Sequence, residues 1–230
     1  MAIESKIKDG IGLIGLNRPE KANAYDKAHL TMIQEAFRGL AEQCEVIAFH
    51  SLHSGAFCAG ADLDEMSDAT PKDAENLFSQ AVFTEIARSP VVSIAVVNGA
   101  AVAGGFELAL ATDLRVVGPR ALFRLPETSL GIIPAAGGST RLTGLLGASI
   151  AKQVILGGRT ISSADAVTWG LGVAAEGDPL AFGLKWAEAI QGHPEATAAA
   201  KRIVNAAAED RSLADERTAQ ARLYANRIQR

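Results

Sequence analysis

Apolar residues along this chain fall into two rhythms. Short runs with the length and branched content of strands occur at Ile11 to Leu16, Val46 to His50, Val91 to Val97, Leu114 to Val117 and Ala121 to Leu125. Between them, Asp26 to Glu42 and Pro71 to Arg88 repeat their apolar positions at helical spacing. From about Ala175 the strand rhythm stops, and Pro179 to Gln191, Pro194 to Ala208 and Ser212 to Ile228 predict three helices. Alternation of this kind predicts a mixed α/β fold, and spacing alone would give a doubly wound sheet. The longest apolar stretches, such as Val91 to Val97, are strand-length, so no membrane span is expected.

Two carboxylates break the apolar pattern. Glu107 is the only ionisable residue between Val97 and Ala111, a stretch that turns through Gly99, Gly104 and Gly105 into a helix pattern. Glu127 follows Phe123-Arg124-Leu125-Pro126 and precedes the turn-rich Leu130-Gly131-Ile132-Ile133-Pro134-Ala135-Ala136-Gly137-Gly138. A charge in such surroundings must be desolvated, which needs compensation. Taken singly, each has a plain structural reading. Glu107 falls in a first helical turn, where the helix dipole favours an anion, and Glu127 can open a helix behind proline.

A third segment changes the weighing. Gly55-Ala56-Phe57-Cys58-Ala59-Gly60-Ala61-Asp62-Leu63-Asp64-Glu65-Met66 reads as a strand end, a small-residue turn and a helix opened by Asp62. Backbone N–H groups at such turns can hold a developing negative oxygen. Ala61 after Gly60, and Gly104 before Gly105, would each offer one without a side chain in the way.

Together these segments resemble the crotonase superfamily, the enoyl-CoA hydratase/isomerase group. The resemblance is carried by Leu16-Asn17-Arg18-Pro19-Glu20-Lys21-Ala22-Asn23-Ala24, Ala56 to Leu63, Val97-Asn98-Gly99 with Ala103 to Ala109, and Leu125-Pro126-Glu127 through Pro134 to Arg141-Leu142. They stand in the family's order over about the first three quarters of the chain. The resemblance implies a spiral of ββα units over residues 1–175 and a helical oligomerisation region over 176–230. It also implies an acyl-CoA thioester substrate whose oxygen is gripped by the N–H groups of Ala61 and Gly104 as it becomes an enolate.

The family's hydratases carry two glutamates where this chain has Glu107 and Glu127. The resemblance suggests Glu107 as base towards water and Glu127 as acid towards the α-carbon, a division that coupled carboxylates share. Further substrate contacts are implied at Lys21, Ala22, Ala24, Ala59, Asp62, Leu63, Gly105, Pro134 and Ala135. No separate cofactor is implied, since coenzyme A is part of the substrate. The helical tail suggests a homotrimer or homohexamer. Two neighbouring readings are a double-bond isomerase, which needs one carboxylate, and a catalytically silent acyl-CoA-binding relative.

The departures from the family pattern are Ala135 in place of a glycine, Phe106 in place of a small residue before Glu107, and a sequence that stops at Arg230 without the usual basic C-terminal segment. Arg18, Lys21, Lys201, Arg202, Arg211 and Arg217 are then the cations available to CoA phosphates. Composition adds less. With 230 residues, 48% hydrophobic and 21% charged, the chain reads as a soluble globular protein, and a net charge of −4 argues against a general nucleic-acid binder. Cys44 and Cys58 lack metal-ligand spacing, Cys58 reads as buried filler, and the four histidines are scattered, so no metal site is expected. The first residues carry an early acid and no long apolar run, from which a cytoplasmic enzyme is expected.

Overall fold

The computed structural model describes residues 2–62, 64, 70–208 and 221. Leu63, Arg211, Arg217 and, apart from Ala221, the helix expected over Ser212 to Ile228 lie outside the described residues.

Six strands form one sheet in the order β1-β2-β3-β4-β6-β9: β1 (Ile3–Lys8), β2 (Ile11–Leu16), β3 (Val46–Ser51), β4 (Val92–Val97), β6 (Leu114–Val117) and β9 (Val173–Ala174). Only β1 and β2 are antiparallel, joined at Asp9-Gly10, both at positive φ as a two-residue hairpin turn requires. The other neighbours are parallel. A second sheet, β5-β7-β8, is built from β5 (Ala100–Val102), β7 (Leu122–Arg124) and β8 (Ile161–Ser162). Cys58 bridges to Ala101 at its edge.

The unbroken burial of β2 and β4 follows from cover on both faces. Ile11, Leu13, Val46, Ala48, Ile94 and Val96 meet α7 (Pro179–Ile190), whereas Ile14, Leu16, Ile47, Phe49, Ala95 and Val97 face the main core. That core is filled by α1 (Lys27–Ala41), started by the Asp26 side chain accepting from His29 N, and by α3 (Phe78–Arg88). The single helix expected over Pro71 to Arg88 is two, α2 (Pro71–Glu75) and α3.

The doubly wound sheet is corrected. After β4 the chain turns at Asn98-Gly99 and places β5 in the second sheet before α4 (Gly104–Ala111) returns it to β6; β7 again leaves for the second sheet. Repeated, this step gives the spiral of ββα units. The chain continues through the short 3-10 helix Glu127–Leu130 into α5 (Gly138–Ile155), which breaks at Gly147. It then runs through α6 (Ser163–Thr168), opened by a Ser162/Asp165 capping box.

Two buried cations hold this frame. Arg115 donates to the carbonyls of Ala109 and Thr112 at the C-terminal end of α4, and also to those of Asp113 and Leu171. Lys201, on α8 (Pro194–Ala208), was expected among cations for CoA phosphates. Instead its side chain is buried and its Nζ donates to Val91 O at 2.8 Å and Asp113 Oδ2 at 2.7 Å, so it ties α8 to the sheet and is spent.

Candidate active site

Four connections meet at one end of α4. The first is Leu16 to Tyr25, where the chain makes a short 3-10 turn (Pro19–Lys21) and passes through Ala22 and Asn23 at positive φ. Asn23 is the fastener. Its Nδ2 donates to Ser51 Oγ, Ala56 O and Phe57 O at 2.9, 3.0 and 3.1 Å, and its Oδ1 accepts the Arg18 N–H at 2.8 Å. Asparagine tolerates the left-handed region, so one residue both makes the turn and locks it to the next connection.

That next connection, Ala56 to Asp62, lies alongside the first. Ala59 N donates to Ala22 O, Tyr25 N donates to Gly60 O at 2.8 Å, and Asp62 N donates to Tyr25 O at 2.7 Å. These bonds bracket Ala61 and leave its own N–H without a partner among the described residues. Cys58 is buried, donates its Sγ–H to Asn23 O, and burial pushes its thiol up to about 12, which suits filler and not a nucleophile.

The third connection enters α4. Ala103 adopts φ 51°, ψ −129°, and Gly104 begins the helix with an N–H that likewise has no partner among the described residues. The two donor turns touch: a Cβ on Gly60 would lie 2.9 Å from Gly104 N and 2.9 Å from Ala103 Cβ. Gly105 packs on the Cys58 carbonyl one residue further on.

The fourth connection, Leu125 to Gly138, carries Glu127 and reaches Glu107 on α4. Glu107, one turn into the fully buried α4, accepts the Gly138 N–H at 2.8 Å through Oε1. The turn carrying Gly138 is fixed by Gln80 Nε2 donating to Ala135 O at 2.7 Å and Arg141 Nη1 donating to Ala136 O at 2.8 Å. Pro134 and Ala135 are buried in it, and the Ala135 N–H has no partner among the described residues. Glu127 is 5% exposed, and its Oε2 is buried without a hydrogen-bond partner among the described residues. Burial raises its carboxyl to about 7, against a counter-pull from its own N–H.

Tyr25 stands between these parts and was not singled out in the sequence. Its hydroxyl is buried and keeps its proton well above the usual tyrosine range, first through burial and then through the negative charge of Glu107, with Cys58 and Glu127 adding in the same direction; a hydrogen bond with Ser79 pulls the other way. Both glutamates therefore act on one hydroxyl, which a Cβ on Gly104 would meet at 1.8 Å. The available hint was a polar aromatic directly before the Asp26 cap, at the end of a turn otherwise made of small residues.

Ala22 is exposed and Ala24 buried, its carbonyl accepting from Arg18 Nη1 at 3.0 Å. Arg18 and Lys21 converge on Asp62, at 2.9 and 3.4 Å, and Lys21 also reaches Asp64 at 2.7 Å. Arg18 is thereby engaged in bracing the turn, while Lys21 is exposed. Among the described residues no cluster of His, Cys, Asp or Glu has the makings of a metal site. No helix among them is long and apolar enough to cross a membrane.

The chain as a whole is similar to known proteins. A probable mitochondrial enoyl-CoA hydratase 2 from Arabidopsis thaliana is 41% identical over 166 residues, 70% of this chain and 55% of that protein. The human mitochondrial methylglutaconyl-CoA hydratase is 39% identical over 166 residues, 70% of this chain and 49% of that protein. The chain thus spans about half the length of these relatives. Among solved structures, an enoyl-CoA hydratase from Bacillus anthracis superposes with TM-score 0.85 at 30% identity, covering 100% of this chain and 92% of that one. A probable enoyl-CoA hydratase from Mycobacterium smegmatis gives 0.88 at 26% identity, covering 99% and 96%. The family description enoyl-CoA hydratase/isomerase matches residues 6–230, and with the spiral fold in place the chain belongs to that family.

Proposed function

We propose that the chain is an enoyl-CoA hydratase, adding water across the 2,3 double bond of a 2-enoyl-CoA thioester. The observation that carries this reading is the unequal pair of buried acids beside two open N–H groups. Glu107 is held by a backbone donor, as suits an ionised base, whereas Glu127 has an oxygen without a partner among the described residues and a raised carboxyl, as suits a proton-bearing acid. Glu107 takes a proton from water as its oxygen bonds to the β-carbon. The electron pair of the double bond moves to the thioester oxygen, where Ala61 and Gly104 N–H groups stabilise it, and Glu127 delivers a proton to the α-carbon. The Ala135 N–H is a further donor for the water, and Lys21 is the cation at the mouth for CoA phosphate. Ala22, Ala24, Ala59 and Asp62 form the adjoining wall. The chemistry uses no separate cofactor.

On this reading residues 1–175 carry the site and 176–230 serve assembly, with α7 also closing the outer face of the sheet. A homotrimer or homohexamer goes with this reading, and the exposed Ile203 and Val204 on α8 are apolar surface consistent with assembly. The cytoplasmic placement expected from the sequence stands beside relatives whose names place them in mitochondria. The test is loss of enoyl thioester absorbance across short, branched, carboxylated and long 2-enoyl-CoA substrates. Glu107→Gln and Glu127→Gln should each lower kcat at least ~100-fold with circular dichroism unchanged. Unchanged turnover in both would end the two-acid mechanism. Binding without turnover would mark a silent relative, and conversion of a 3-enoyl to a 2-enoyl thioester without hydroxyacyl product an isomerase.

A further inference from the structure

Tyr25 is placed on both halves of the anion pocket at once. Its backbone grips one half: its N–H donates to Gly60 O at 2.8 Å and its carbonyl accepts Asp62 N–H at 2.7 Å, so the only residue between these two bonds is Ala61. Its side chain grips the other. The ring lies edge-on to Phe83, centroids 5.9 Å apart, and carries Oη so close to Gly104 that a Cβ there would sit 1.8 Å from Oη and 2.7 Å from Cζ. The ring is a rigid spacer between its own backbone and its hydroxyl, and at 5% exposure it has no room to swing.

Two N–H groups stabilise one oxygen only if their separation and aim are fixed before charge develops. The donors belong to two separate turns, one through Gly60 and one entering α4 through Ala103 at φ 51°, so their relative placement depends on what packs between them. We propose that Tyr25 is a positioning residue that sets the Ala61 and Gly104 donors relative to one another, with the phenol oxygen as the stop against Gly104. The inference rests on the acyl-thioester reading above, though not on which reaction follows enolate formation.

The test uses a chromophoric dimethylaminocinnamoyl-CoA thioester, whose absorbance moves to the red when its carbonyl is polarised, alongside crotonyl-CoA kinetics. Tyr25→Phe keeps the ring and the Phe83 contact and removes only Oη. It should lower kcat about tenfold with KM within about twofold and shrink the red shift of the bound probe, because the loss falls on the transition state. Tyr25→Leu removes the spacer and should lower kcat by ~100-fold, close to the loss of one donor. Rescue in the order Tyr, Phe, Leu for the shift, at equal probe occupancy, is the expected signature. A wild-type red shift in Tyr25→Phe with unchanged kcat would overturn the inference, as would a wild-type protein that binds the probe without shifting it. Wild-type protein that shifts the probe and hydrates no enoyl thioester would remove the hydratase reading and leave the inference to be decided by the variants' shifts.

Discussion

The donor side and the acid side of the site treat polar groups in opposite ways. On the donor side the Asn23 side chain makes four hydrogen bonds, Tyr25 pairs with both neighbours of Ala61, and Arg18 and Lys21 share Asp62. On the acid side Glu127 leaves a buried oxygen without a partner among the described residues and carries a proton up to about pH 7. A buried unsatisfied carboxyl works against folding, while a satisfied network supports it. The difference separates what holds the pocket's shape from what reacts in it: stiffness resides in the donor turns, and unspent bonding capacity, among the described residues, in Glu127.

Breaking the donor side should give the largest effects. Gly104→Ala places a Cβ 1.8 Å from Tyr25 Oη, so either the ring or the helix start must shift. The N–H remains but is re-aimed, and kcat should fall roughly 100- to 1000-fold, the range for losing one such donor, measured on crotonyl-CoA with probe binding retained. A variant with wild-type kcat would show that the two turns are not mutually fixed. Asn23→Ala acts on stability first. It strands the half-buried carbonyl of Ala56 and the buried one of Phe57 and puts alanine at φ 58°, so chemical unfolding should show a loss of about 3–5 kcal/mol. A loss below about 1 kcal/mol would mean the turn is held by its neighbours instead.

How much of this was legible in the sequence divides along similar lines. β2, β3, β4, β6 and β7 and helices α1, α7 and α8 were readable because burial of a face writes itself into apolar spacing. β1 was missed because only Ile3 of its six residues is buried, leaving no alternation to read, although Asp9-Gly10 was an available turn signal. The second sheet was only partly visible: Ala121 to Leu125 marked β7, but β5 and β8 are three and two residues long, below the length at which period has meaning, and so spacing favoured a doubly wound sheet. The glutamates and glycine turns stood out by chemistry. Tyr25 and Asn23 did not, since their weight comes from contacts 28 to 79 positions apart in sequence, as with Ser51 and Gly104.

The acid side can be sharpened through pH. Glu127 has a folded carboxyl near 7, raised above its ordinary 4.5. Between those values the folded state binds more protons than the unfolded state, so this group's stabilising contribution is complete below about pH 4.5 and is lost as pH rises to about 7. The loss is on the order of 3 kcal/mol. Glu127→Gln abolishes the titration. Its stability relative to wild type should therefore improve from pH 5 to pH 8, read as the difference in urea midpoints, even as kcat falls. The wild-type kcat should decline above about pH 7 as the acid form disappears. A stability difference that does not move with pH would place the Glu127 carboxyl in solvent contact.

The smallest effect is expected at Lys21, the one cation of the donor side that is exposed as well as paired. Its ammonium is held above its ordinary range, chiefly by the hydrogen bond to Asp64, yet the pair is open to water and Arg18 still engages Asp62 after the lysine is removed. Screening makes such surface pairs weak contributors to folding. Lys21→Ala should therefore leave the thermal midpoint unchanged within error. If the ammonium turns from Asp64 to a CoA phosphate when substrate arrives, KM should rise about threefold with kcat intact, and the rise should shrink in high salt. A drop in kcat at unchanged KM would instead assign Lys21 to the shape of the pocket, moving it from the mouth to the same fixed network as Asn23.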